Sequence, residues 1–236
     1  MDITIGSMIE RVKTPYNKGV ESVNSRLSDR YIYSVLMDIK NKLVTQQIKK
    51  KQVISDWNYS VLSCVELIKV ANHECPCLPD LGCKVYRTKY TLPKPLTDLN
   101  VHLFKYVMNI TTSKLISSTT REAYINNEGN KYTSKGLKYI IEKGYLYVYG
   151  KDIPQLIKIK YLAEDAIEAA NYPSICGNDC VDCNDCESML DKTFPVDSDM
   201  IDDVIQMANI EIAKFFKPSN EDINNDNIDN ITEEGK

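Results

Sequence analysis

The chain has 236 residues, of which 43% are hydrophobic and 26% charged, with a formal net charge of −4. That is enough chain to bury a core without covalent staples, in one large domain or two small ones. The charge is concentrated between Lys217 and Lys236, where six acids face two lysines; the remainder is close to neutral, which disfavours non-specific nucleic-acid binding by the body. No apolar run approaches the roughly 20 residues of a membrane-spanning helix. The N-terminal stretch MDITIGSMIERVKTPYNK lacks the apolar segment of a secretory signal, which predicts a cytoplasmic site of synthesis.

Residues 1 to about 26 show no sustained periodicity, and Thr14-Pro15-Tyr16-Asn17 with Gly19 reads as loop. From Leu27 the pattern turns helical: Leu27, Tyr31, Val35, Leu36, Ile39 and Leu43 share one face. Ser28 and Asp29 suit the start, and Lys49 to Lys51 suit the end. This predicts an amphipathic helix over 28–51. After Asp56 the period becomes two, with Trp57, Tyr59, Val61, Val65 and Leu67 alternating as in a half-buried strand. Further strands are predicted at 84–91, 102–110, 114–118, 124–126, 137–142, 145–149 and 156–162. They are rich in Tyr, Val and Ile and separated by turn residues such as Lys143-Gly144. The absence of a βαβ rhythm argues for an antiparallel meander, a sandwich or a small barrel.

Ala163 to Ala170 is predicted to form a helical turn or two. A second amphipathic helix is predicted over 197–216, built on Met200, Ile201, Val204, Ile205, Met207, Ala208 and Ile212 and stopped by Pro218. The segment 217–236 is rich in Asn, Asp and Glu and is predicted to be a disordered acidic tail. The expected fold class is therefore α+β: two helices flanking a β-rich antiparallel middle. The expected divisions are an N-terminal arm and helix over 1–56, a β-rich insertion over 57–165, a cysteine loop with the C-terminal helix over 166–216, and the tail. Each helix has one apolar face to bury, so the two should pack on each other or on the sheet.

The densest chemical signal is CGNDCVDCNDCES, which places Cys176, Cys180, Cys183 and Cys186 in one short loop. Two overlapping C-x2-C units bring thiolates within reach of one ion, and four thiolates form a closed tetrahedral zinc site. Against this, structural zinc sites usually split their ligands between two knuckles. The interleaved Asp179, Asp182, Asp185 and Glu187 also raise thiol pKa values. A solvated loop with unpaired or oxidised cysteines remains the alternative. A second group, His73, Cys75, Cys77 and Cys83, has C-x-C spacing beside a histidine and reads more simply as a stiff loop. The two groups together allow a shared ion or disulfides across the fold. Catalytic candidates are thin. His102 lies in an alternating run, Asp202-Asp203 belongs to a solvated helix face, and no G-x-S-x-G, H-E-x-x-H, P-loop or G-x-G-x-x-G is present.

The succession LSDRYIYSVLMDIKNKLVTQQ, SDWNYSVLSCVELIKV, HECPCLPDLGCKVYRTKYTLPKPL and DKTFPVDSDMIDDVIQMANIEI resembles the ring proteins of crAss-like, short-tailed bacteriophages, over roughly residues 27–216. The resemblance implies a non-enzymatic virion protein that forms a homo-oligomeric ring, twelve-fold to match the portal, at the head-to-tail junction. It implies portal and neighbouring tail rings as partners, DNA passing through the channel without sequence-specific contact, no membrane, and assembly in the host cytoplasm. It brings no catalytic or cofactor-binding residues. The rival expectations are a cysteine-rich metal-binding adaptor, holding zinc at Cys176, Cys180, Cys183 and Cys186, and a thiol-dependent enzyme.

Overall fold

The computed structural model describes residues 3–16, 27–70, 85–98, 101–123, 136–173, 175 and 188–216. Among these, a helical layer and a closed β-barrel lie side by side, each with its own hydrophobic cluster.

The helical layer holds α1 (Ile5–Lys13), α2 (Asp29–Lys49) and α4 (Ile201–Phe216), while a short α3 (Ala166–Ala170) follows the barrel. The predicted caps are in place on α2, where the Ser28 side chain accepts the Tyr31 N–H. Ile32, Leu36, Ile39 and Val44 of α2 and Val204, Ala208 and Ile212 of α4 are buried in one cluster, and the two helices pack on each other as expected. Helix α4 is preceded by a 3-10 turn at Ser198–Met200, so it starts a few residues later than the predicted 197.

The N-terminal segment, read as lacking sustained periodicity, carries a helix at Ile5–Lys13, followed by a turn at 14–16 where loop was expected. Ile5, Met8, Ile9 and Val12 form a short apolar stripe, and Thr4 caps it by accepting the Ser7 N–H at 3.2 Å. Burial of all four in the helical core stabilises a helix too short to persist alone. The arm is pinned to the segment before α4 by Ile5 N–H to the Lys192 carbonyl (2.9 Å) and Phe194 N–H to the Ile3 carbonyl (2.8 Å). Gly6 permits this approach: a Cβ there would stand 3.2 Å from the Leu190 carbonyl oxygen.

The barrel consists of β1 (Ser60–Lys69), β2 (Tyr86–Thr88), β5 (Phe104–Asn109), β6 (Leu115–Ser118), β7 (Lys138–Glu142), β8 (Tyr145–Tyr149) and β9 (Leu156–Tyr161). Its order is β1-β2-β8-β7-β6-β5-β9, closing from β9 back to β1. A separate hairpin pairs β3 (Thr97–Asp98) with β4 (Val101–His102), so the predicted strand 102–110 is broken at Leu103. The middle region is not wholly antiparallel, because β6 pairs with β7 in parallel, Ser117 opposite Lys138. The predicted strand 124–126 lies outside the described residues. Residues 143–144 form the two-residue β7–β8 turn with positive φ at both (Lys143 50°, Gly144 81°), the backbone that matches strand twist.

Strand β1 begins at Ser60. Trp57, predicted as its first inward residue, lies on a 3-10 turn (Asp56–Asn58) and is 64% exposed. Register shifts between Leu62 and Val65 against β9, where Cys64 has φ 56°. This bulge lets Leu62, Val65 and Leu67 all be buried in the barrel despite their uneven spacing. Tyr161 and Phe104 stack at 5.4 Å inside the same cluster.

Candidate functional site

The chemistry-bearing residues divide into those the structure describes and those it does not. Cys176, Cys180, Cys183 and Cys186 lie outside the described residues, as do His73, Cys75, Cys77 and Cys83. Among the described residues no group of three or more His, Cys, Asp or Glu is arranged to hold a metal ion. Cys64 is buried at the β1 bulge and is disulfide-bonded. His102 is exposed and meets Phe104 edge to face at 6.4 Å, as a strand residue should. Asp202 and Asp203 are exposed on the first turn of α4, where negative charge favours the helix dipole.

Two polar constructions fix the parts relative to one another. The Tyr33 hydroxyl on α2 donates to Asp165 Oδ1 at 2.7 Å, and the same oxygen caps α3 by accepting the Ile167 N–H at 2.8 Å. Burial and the neighbouring carboxylate push the Tyr33 hydroxyl far above its ordinary pKa. Beside it, Asn41 Nδ2 donates to the Glu164 carbonyl at 2.8 Å, so α2 is tied twice to the strand exit of the barrel. At the other end, Asp56 is paired with Lys105 of β5 and with Lys160 of β9 (3.1 Å). The Lys105 hydrogen bond, then that of Lys160, holds the Asp56 carboxyl below its ordinary pKa. Both ammonium groups also lie over the Tyr59 ring, at 5.0 and 5.7 Å.

Between these lies a buried polar cluster. Lys40 on α2 is 1% exposed, and its ammonium makes a long hydrogen bond of 3.5 Å to the Asn58 carbonyl. Gln47 and Asn58 donate to the Met200 sulfur at 3.5 and 3.8 Å, and Asn58 Oδ1 accepts the Asp197 N–H at 3.3 Å. Burial, with no carboxylate beside it among the described residues, pulls the Lys40 pKa down to about 8. Such an amine has the basicity of a catalytic lysine. At 1% exposure, however, no substrate can reach it, and its neighbours are those of a helix junction.

What the surface offers is apolar. Val53 (95% exposed), Trp57 and Ile210 (55%) stand out from the helical layer. An open groove of about 670 Å³ runs between the end of α1 and the outer side of α4, lined by Pro15, Tyr16, Ile205, Asn209, Ile210 and Ala213 among others. The Tyr16 hydroxyl donates to the Asn209 carbonyl at 2.8 Å across its floor. Of the groove residues, Ile205 belongs to the apolar pattern predicted for this helix, whereas Asn209, Ile210 and Ala213 were not singled out by periodicity. Met207 is assigned to the core-facing stripe of α4 but is 40% exposed, and Ile210 falls opposite that stripe. The available signal was that α4 is too apolar for a helix with one buried face.

A packed barrel joined rigidly to helices that display large apolar side chains is the construction of a subunit built for contact. The sequence matches the model of the family described as phage tail ring protein 2 over residues 7–231. The chain belongs to that family, the crAss-like phage ring proteins, and is thereby a phage tail ring structural protein and a component of the virion. No curated protein matches it. No helix among the described residues is long and apolar enough to cross a membrane.

Proposed function

We propose that this chain is a non-enzymatic subunit of a homo-oligomeric ring at the portal–tail junction. The ring is twelve-fold, in register with the portal, extends the DNA channel and links portal to tail. Portal and neighbouring tail rings cover its two faces, DNA passes without sequence-specific contact, and the subunits are made and assembled in the host cytoplasm. The observation that carries this reading is the family match across almost the whole chain. The rigid ties at Tyr33–Asp165 and Asp56–Lys160 support it, since a ring that transmits position from head to tail needs subunits that do not bend.

Native mass spectrometry of the purified full chain, in reducing buffer without chelator, tests the reading. A closed ring of twelve copies is the expected result. A chain that stays monomeric alone and with portal added would overturn it.

The cysteine loop is compatible with this role as a local structural element. We propose Cys176, Cys180, Cys183 and Cys186 as its zinc ligands, on the strength of their two overlapping C-x2-C units. The Cys64 disulfide bears on this directly: if its partner is one of the four, only three thiolates remain for a metal. Native mass spectra recorded with and without reductant decide, because bound zinc adds its mass to each subunit.

A further inference from the structure

We infer that the groove between α1 and α4 receives Trp57 of an adjacent copy of this chain, and that this contact closes the ring. The inference rests on the ring-subunit reading and names the surfaces that would carry it out.

Three observations lead to it. The groove is preformed: Ile201, Val204, Ala208 and Ile212 anchor α4 in the core, and the Tyr16–Asn209 hydrogen bond fixes the groove floor. It is shallow and open, its surface is mainly apolar with Asp202 and Gln206 at its edge, and its volume of about 670 Å³ leaves space for an indole ring laid against it. Asn209 Oδ1 has no hydrogen-bond partner among the described residues. A small turn of that side chain would let it accept the indole N–H, the one polar group a buried tryptophan must satisfy.

The second observation is the presentation of Trp57. It is the single tryptophan of the chain and is 64% exposed. It lies on a 3-10 turn between Asp56, which pairs with Lys160, and Asn58, which is 1% exposed. Val53, on the same connector between α2 and β1, is 95% exposed and extends the knob. An exposed tryptophan beside an exposed aliphatic is the composition of an interface hot spot.

The third is that knob and groove share no residue. Contact between two copies is then heterologous, with the Trp57 surface of one meeting the α4 groove of the next. After pairing, one copy keeps a free groove and the other a free knob, so association continues until rotation closes it. A single self-complementary patch would stop at a dimer.

The test follows the full-length chain across a concentration series by native mass spectrometry, tryptophan emission and acrylamide quenching. Assembly should shift the Trp57 emission to shorter wavelength and reduce quenching about twofold or more, as the ring leaves water. Ile210→Lys places a charge in the groove at a position where the isolated subunit is solvated, so the fold should survive by circular dichroism. It should raise the concentration for half-assembly on the order of tenfold or more. Trp57→Ala should do the same.

An equimolar mixture of the two variants gives the sharpest result. The intact knob of Ile210→Lys fits the intact groove of Trp57→Ala once, so the mixture should stop at a one-to-one dimer. Rings that form with Trp57 still quenched freely, or rings that persist in Ile210→Lys, would overturn this interface and leave the ring reading standing. A mixture of the variants without dimer would also overturn it. A wild-type chain that is monomeric at every concentration would overturn the self-association itself.

Discussion

Lys40 offers a prediction whose size follows from the structure. The residue is 1% exposed, its ammonium reaches the Asn58 carbonyl at 3.5 Å, and burial pulls its pKa to about 8 in place of its ordinary 10.5. That difference corresponds to roughly 3 kcal/mol of stability. The sign is set by which state holds the proton. Below pH 8 both folded and unfolded chains carry the charge, and the cost of burying it is fully present. Between 8 and 10.5 the folded chain has released the proton and the unfolded chain has not, so stability rises with pH. From about pH 10 the buried tyrosines oppose the gain. Burial first, with small charge effects, holds Tyr161 well above its ordinary value and Tyr172 at about 12, so ionisation then favours the unfolded chain. The clean window is pH 8 to 10. Lys40→Met keeps the length of the side chain and removes the charge. It should be more stable than wild type by up to about 3 kcal/mol at pH 7, and by less than about 1 kcal/mol at pH 10. Urea melts at pH 7, 8, 9 and 10, followed by circular dichroism, measure both chains. A wild-type stability that is flat across this window, or a Lys40→Met chain less stable at pH 7, would refute the argument.

Other consequences are simpler. Tyr33→Phe removes the hydrogen bond to Asp165 and should cost about 2 kcal/mol, lowering Tm by roughly 4–8 °C in calorimetry; an unchanged Tm would mean that the α2–barrel tie carries no stability. Leu146→Ala, in the barrel core at 0% exposure, should cost about 2–5 kcal/mol, whereas Leu115→Ala, at 69% exposure, should stay within about 0.5 kcal/mol in the same melts. Thiol counting on the unfolded, unreduced chain should find fewer than the eight cysteines of the sequence, and peptide mapping should place Cys64 in a cross-link; eight free thiols would remove the disulfide. Replacing Cys180 and Cys183 with Ser should abolish any subunit-bound zinc seen in the native spectrum and lower Tm; a variant that retains the metal would exclude these ligands.

How far the sequence foretold this structure varied with the range of the interaction. Helices α2 and α4 were legible because their period, caps and stop signals all lie within the segment, down to Ser28 as the N-cap of α2. Helix α1 was not, since four apolar residues beside Pro15 look like loop until the helical core that buries them is known. The strands of the barrel were legible one by one, but not its closure or the parallel β6–β7 pair. Those depend on which distant edges meet, and a strand's own alternation carries no record of its partner. The β1 bulge explains a local misjudgement: an inserted residue at Cys64 resets the period, so extrapolating the alternation back to Trp57 turns it toward the wrong side. Lys40 was hidden by its type, since a lysine on an amphipathic helix is ordinarily solvated.

The candidate site was the least legible part, for a reason connected to what a ring subunit is. An interface between copies is buried only in the assembly, so in one chain it takes the form of surplus apolar residues with no intramolecular partner. On α4, Val204, Ala208 and Ile212 already complete the buried stripe, and Met207 and Ile210 are the surplus. On the α2–β1 connector, Val53 and Trp57 are the surplus, since Asn58 and Asp56 already secure the turn through Asp197 and Lys160. A cysteine cluster draws attention because its chemistry is local and dense. A contact surface is found by subtraction: the fold must first account for every apolar side chain it uses, and the remainder marks where another chain belongs.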